Sequence, residues 1–206
     1  MTAEPRTIGI DALPAHPGYR ALAAIAGLQV DLRYAGTRNL LRRDLYSPHD
    51  CAWLRREAAD ALQQAVQWLA RERPALRLCV LDAARPQRVQ ELFWTHVQGT
   101  PMEPYFAPPE RGSIHSFGMA VDITLADAQG EELDMGTPFD DTTELSHPAL
   151  EHRHAAAGLL SEAQLDNRRL LRTALLQAGW QAISTEWWHF DFGDRDEVRR
   201  RLPRIV

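Results

Sequence analysis

The chain predicts an α+β fold in which a mainly antiparallel central sheet is flanked by helices, within one domain spanning residues 1–206. Three observations point there. Segments with helical apolar spacing alternate with short runs of strand character, but the helices are of unequal length. A hairpin is expected close to the histidine-bearing segments. No internal repeat or linker divides the chain.

Taken in order, residues 51–73 form the clearest helix, with Leu54, Ala58, Ala61, Leu62, Ala65, Val66 and Leu69 on one apolar face. Asp50 is its expected cap and Pro74 its stop. Leu76, Leu78 and Val80 alternate with Arg77, Cys79 and Leu81, which predicts a strand with one face more apolar than the other. A second helix carries Pro86 in its first turn and turns Val89, Leu92, Phe93 and Val97 inward. The stretch 99–112, with four prolines and two glycines, reads as a loop that places Tyr105 and Phe106 as a wall or lid. Val121, Ile123 and Leu125 alternate after Gly118 as a further strand. Ser161 and Gln164 have capping-box spacing for a helix running to Gly179, with Leu171, Ala174, Leu175 and Ala178 along its inner stripe. A last strand is expected from Trp180 to Phe192.

Composition narrows the function. Apolar residues make up 45% and charged residues 25% of 206, the profile of a globular chain with a substantial core. The formal net charge is -5, and the short clusters Arg42-Arg43 and Arg199-Arg200-Arg201 lie among acidic or apolar neighbours. A nucleic-acid partner, which needs a sustained basic face, is not expected. No segment approaches the roughly 20 apolar residues of a membrane span, and no leader is legible, so the expected location is cytoplasmic. The two cysteines suggest no disulfide framework; Cys79 reads as a small core residue, and Cys51, at the expected helix start, as packed or simply exposed.

Two segments carry chemistry. Ser113-Ile114-His115-Ser116-Phe117-Gly118-Met119-Ala120-Val121-Asp122 is answered by Glu186-Trp187-Trp188-His189. His115, Asp122 and His189 supply two imidazoles and one carboxylate, a donor set that zinc takes in catalytic sites with one position left open. Glu186 adds a carboxylate three residues before the second imidazole, which suggests hydrolysis. Taken singly, each histidine reads as readily as an ordinary hydrogen-bonded side chain; the combined pattern is far more restrictive. Residues three apart on a strand face opposite ways, so a bend or bulge near Trp187 is required if Glu186 and His189 are to share a site. His147, His152 and His154 form a second histidine cluster with no convergent carboxylate motif, and surface positions are expected for them. Trp187 and Trp188 are expected as core and pocket wall.

These residues resemble the D-alanyl-D-alanine dipeptidases, zinc enzymes related to D,D-carboxypeptidases and Hedgehog-like domains. The resemblance extends to Asp31-Leu32-Arg33-Tyr34-Ala35, Asp82-Ala83-Ala84-Arg85-Pro86 and Met135-Gly136-Thr137-Pro138-Phe139-Asp140 with Ser146-His147. It implies a Hedgehog/D,D-peptidase-like fold and one Zn²⁺ per chain on His115, Asp122 and His189. Glu186 would take a proton from the metal-bound water and later deliver it to the departing amine. Arg85 would stabilise the tetrahedral oxygen, Asp140 would hold the free ammonium of a small dipeptide, and Ser113 and Tyr34 would be polar pocket groups. Where the family commonly has Gly-Tyr before its Arg-Pro pair, this chain has Ala83-Ala84, a difference that bears on pocket shape. Two other readings stand beside the dipeptidase: a D,D-carboxypeptidase or endopeptidase acting on longer peptidoglycan stems, and a non-catalytic zinc-stabilised binding module.

Overall fold

A computed structural model describes residues 6–206. In chain order the elements are β1 (Thr7–Ile8), β2 (Tyr19–Ala21), β3 (Gln29–Val30), β4 (Trp53–Arg55), α1 (Arg56–Glu72), β5 (Arg77–Asp82), α2 (Gln87–Val97) and β6 (Ala120–Ala126). They continue with α3 (Glu151–Ala156), α4 (Glu162–Gln177), β7 (Trp180–Ala182), β8 (His189–Phe192), α5 (Arg195–Arg201) and β9 (Arg204–Ile205). The central sheet has the order β3-β5-β6-β8-β7. Only its β3–β5 edge is parallel; the other three pairings are antiparallel, as the α+β expectation requires. Short ribbons β2–β4 and β1–β9 lie outside it. No helix among the described residues is long and apolar enough to cross a membrane.

Helices α1 and α4 pack against one another, and both contribute to the core cluster with β5 and β6. Ala58, Ala59, Ala61 and Ala65 let α1 approach closely, while Leu62 and Leu69 fill the space between. Each of those leucines contributes roughly 1.5–3 kcal/mol by leaving water. The capping box of α4 is present: Ser161 Oγ accepts from Gln164 N–H at 3.2 Å, and Gln164 Oε1 accepts from Ser161 N–H at 2.8 Å.

Several expectations need correction. Helix α1 begins at Arg56, not at 51, because Trp53–Arg55 pairs with β2 and Asp50 spends its carboxylate on Ala52 N–H and Trp53 Nε1. Leu54 is buried from that strand rather than from the helix, and Cys51 is buried before it, its thiol pushed well up by burial. Strand β5 is buried on both faces from Leu78 to Asp82, so one-sided patterning does not apply. Leu92 points outward at 38% exposure, whereas Val89, Phe93 and Val97 are buried as expected. The span 180–192 is two antiparallel strands, β7 and β8, joined by a loop over 183–188. Within that loop the chain bends at Trp187 and Trp188, the bend rather than the bulge of the two alternatives expected there.

Register is what builds the site. Asp122 on β6 pairs with His189 on β8 and with Asp82 on β5, so three polar side chains line up across three strands. A bulge between Val80 and Asp82 makes this possible: Val80 pairs with Ile123, and without the extra residue Leu81 would stand beside Asp122. Entry into β6 is set by Gly118, which ends the 3₁₀ turn Ile114–Phe117 at φ 69°. An added Cβ there would lie 3.2 Å from the backbone nitrogen of Arg55, which itself donates to Gly118 O at 2.9 Å. Gly118→Ala is therefore expected to cost at least about 1–2 kcal/mol, the usual penalty for a side chain in the left-handed region. A lowered thermal midpoint together with weakened metal binding, followed by calorimetry and metal titration, is the outcome that fits; an unchanged midpoint contradicts this role for the turn.

Candidate active site

His115, Asp122 and His189 place one donor atom each within 4.8 Å of one another. His115 Nε2 lies 3.2 Å from His189 Nδ1 and 3.3 Å from Asp122 Oδ1, and the Asp122 Oδ1–His189 Nδ1 distance is 2.9 Å. Donors bound to one tetrahedral ion at about 2.0–2.2 Å stand about 3.3–3.6 Å apart. The triangle is thus close to one face of such a site, drawn slightly tight on one edge.

The second nitrogen of each ring has its own partner. His115 Nδ1 is 2.9 Å from the Ala83 carbonyl, and His189 Nε2 is 3.0 Å from Asp191 Oδ1. Both acceptors require an N–H, which leaves Nε2 of His115 and Nδ1 of His189 with lone pairs facing inward. A neutral ring in that tautomer is what a cation needs. The surrounding carboxylates also draw protons toward the site. Burial alone would lower the His189 pKa, but Asp191 and Asp122 hold it well above the ordinary histidine value. Asp122 goes the other way: burial opposes its ionisation, and His115 and His189 overcome this to hold it far below the usual range.

Arg85 is buried beside this triangle. Its Nε and Nη2 donate to Asp82 Oδ2 at 2.9 and 2.6 Å, Nη1 reaches Gln90 Oε1 at 3.2 Å, and Nη2 lies 3.4 Å from Asp122 Oδ2. Burial disfavours the guanidinium charge, and Asp82, Tyr34, Tyr46 and Asp122 together more than restore it. Tyr46 fixes the other oxygen of Asp82 through its hydroxyl. The result is a cation held rigidly by its neighbours, with its Cζ 5.1 Å from the Tyr34 ring centroid.

Glu186 sits in the 183–188 loop with Oε2 3.9 Å from His189 Nδ1. Burial pushes its carboxyl up to about 7 against the opposing pull of His189. Asp140 also reaches about 7, again chiefly through burial. It accepts from Tyr34 O–H at 2.8 Å and from Leu40 N–H at 3.3 Å, and its backbone is held at φ 64°. Aspartate tolerates that region better than most residues, and such conformations cluster at working sites. Arg85, Ser113, His115, Asp122, Asp140, Glu186, His189 and Tyr34 all line one cavity of about 450 Å³, large enough for a small ligand. Tyr105, Phe106 and Trp188 form its walls, while Trp187 is core and donates to Thr137 Oγ1.

The sequence reading missed Asp82, Asp191 and Arg195. Asp191 had a legible signal, standing two residues after His189 on the same face of a strand. Arg195 clamps it, with Nε donating to Asp191 Oδ2 at 2.6 Å, and Asp191 is held down at about 2, against burial, by His189 and then Arg195. The second histidine cluster does not converge. His152 is exposed, His147 meets the Tyr105 hydroxyl at 2.8 Å, and His154, against the surface expectation, is buried with Nε2 on the Glu144 carbonyl at 2.9 Å.

Residues 19–205 match the peptidase family described as D-ala-D-ala dipeptidase. A D-alanyl-D-alanine dipeptidase of Escherichia coli is 35% identical over 164 residues, covering 80% of this chain and 78% of its own. One from Synechocystis sp. is 31% identical over 69% of this chain and 70% of its own, and one from Enterococcus faecium is 38% identical over 54% and 53%. Among solved structures, the LdcB LD-carboxypeptidase aligns over 78% of this chain and 76% of its own at TM-score 0.39 and 13% identity.

Asp191 fixes the tautomer of His189 without touching the donor triangle. Asp191→Asn is expected to weaken Zn²⁺ affinity about 10–100-fold, the usual effect of removing such an orienting group. Competition with a chromophoric chelator measures it, and an unaltered affinity removes Asp191 from this role.

Proposed function

This chain belongs to the D-ala-D-ala dipeptidase family, and we propose that it hydrolyses D-alanyl-D-alanine to two D-alanine molecules using one Zn²⁺ per chain. The observation that carries the reading is the triangle of His115, Asp122 and His189 with a further carboxyl, Glu186, 3.9 Å from one of its donor atoms. A site serving only to brace the fold has no use for that fourth group. Two imidazoles and a carboxylate fit zinc, and the three residues would hold the ion with a position left for water. When bound, Zn²⁺ supplies Lewis acidity and brings the ionisation of water close to neutral pH.

The chain's own groups supply the rest. Glu186 takes a proton from the attacking water and returns it to the leaving nitrogen as the C–N bond breaks. A carboxyl raised by its surroundings to about 7 suits a group that must both accept and give. Arg85 directs its charge at the oxygen that becomes anionic when water adds to the carbonyl carbon. Asp82, Gln90 and Asp122 hold the guanidinium in place beforehand, so little reorganisation is needed. Asp140, ionised and supported by Tyr34, receives the substrate's free ammonium, while Ser113 adds a polar wall. The cavity's acidic lining near Asp140 favours a free amino end over a longer stem.

Glu186→Gln is expected to retain the metal and lose about 10²-fold or more in kcat, the range for a general base. Metal analysis and D-alanine release are measured on the same preparation; parental turnover by the variant removes Glu186 from the mechanism. Free D-Ala-D-Ala is expected to be cleaved at least about 10²-fold faster than its N-acetyl derivative, since the acetyl group abolishes the charge that Asp140 pairs with, a buried charge-assisted contact. Equal rates point to the longer-stem peptidase instead.

A further inference from the structure

The charged groups of the cavity are sorted along a continuous chain of contacts. From one side, Asp140 meets Tyr34, and the Tyr34 ring lies against Arg85. Arg85 reaches Asp122, Asp122 reaches His189, His189 reaches Asp191, and Asp191 reaches Arg195. The metal donors occupy the middle of this chain. Asp140, with no ion pair of its own among the described residues, begins the chain on one side of them, and Arg195 ends it on the other. One turn beyond Arg195 on α5, Arg199 also lines the cavity, as does Arg111 from the loop preceding Ser113.

These arginines differ in how far they are already engaged. Arg85 and Arg195 are committed to Asp82 and Asp191 respectively. Arg199 donates Nε to the Gly112 carbonyl at 3.3 Å, which tethers it to the residue before Ser113. Its Nη1 is buried without a hydrogen-bond partner, the nearest carboxylate being Asp196 at 3.7 Å on a side chain 94% exposed. Arg111 forms no ion pair among the described residues. Burial lowers the Arg199 pKa first, and Arg111 and Arg195 lower it further, so like charges are crowded here and Asp196 and Asp191 offset them only in part. Such crowding is costly unless a ligand brings negative charge.

We propose that Arg111 and Arg199 form the carboxylate-binding end of the cavity and read the free C-terminal carboxylate of the substrate, with Arg195 as a strut that positions Asp191. The assignment rests on the dipeptide reading above and adds its second recognition element. A zwitterion would lie across the metal donors with its ammonium at Asp140 and its carboxylate at the arginine end. Guanidinium groups suit this task because they stay charged and present several donors in a plane that matches a carboxylate.

The test uses the zinc-loaded E186Q protein, whose turnover is expected to be slowed about 10²-fold or more, and calorimetric titration with D-Ala-D-Ala and with D-alanyl-D-alaninamide. E186Q is expected to bind the acid at least tenfold more tightly than the amide. Adding R111A, at an exposed position, is expected to shrink that ratio severalfold. Adding R199Q as well is expected to bring it near one, with affinity for the amide unchanged. An undiminished ratio in the triple variant, or equal affinity of E186Q for both ligands, overturns the assignment. Loss of affinity for acid and amide alike overturns it too, because a merely structural role predicts that pattern. Failure of the dipeptidase reading has a separate signature: the wild-type protein with zinc releases no D-alanine from the free dipeptide.

Discussion

Strand register is the constraint on which the rest of this molecule depends. Asp82, Asp122 and His189 come from residues far apart in sequence, yet they stand side by side because β5, β6 and β8 pair in one phase. Slipping any of these pairings by one residue would turn a polar side chain into the core and an apolar one into the cavity. The buried faces make that slip expensive: Val80, Val121, Ile123 and Phe190 are all removed from water. Hydrophobic burial, which has no chemistry of its own, therefore fixes where the chemistry occurs.

Buried charge in the site is compensated group by group. Asp82 faces Arg85, Asp191 faces Arg195, and Asp122 lies between two imidazoles and the edge of the Arg85 guanidinium. Unpaired charges at this depth would cost several kcal/mol each. The same pairing orients the groups, since each partner takes one lone pair or one N–H and leaves a defined remainder for a ligand. His115 and His189 illustrate this with opposite tautomers, one presenting Nε2 and the other Nδ1, because a backbone carbonyl and a carboxylate occupy the alternate nitrogens.

Much of this was legible in the chain because periodicity and motif spacing are local properties. The inner face of α1, the Ser161–Gln164 capping box and the strand after Gly118 follow from residues within a few positions of one another. The donor triplet was legible because its residue types and order are restrictive. What escaped depends on partners distant in sequence. Trp53–Arg55 looks like the start of a helix until β2 is beside it. The bulge at Leu81 is invisible without the register of β6, and the role of Asp82 depends on that bulge. His154 looks like a surface residue of a short polar helix, but the Glu144 carbonyl lies within reach of its ring.

The scatter of the donors along the chain also shapes how the site comes into being. His115 and Asp122 are neighbours across a short turn, whereas His189 reaches them only when β8 has docked, and α5 then packs on the turn that holds His115. Ribosomal synthesis at about 5–20 residues per second leaves an interval of several seconds in which two ligands exist and the third does not. Contacts of such large sequence separation form late, after the loop-closure entropy has been overcome. A nascent chain in that interval exposes the unpaired edge of β6, so timely arrival of β8 protects against aggregation as well as completing the grip on the ion.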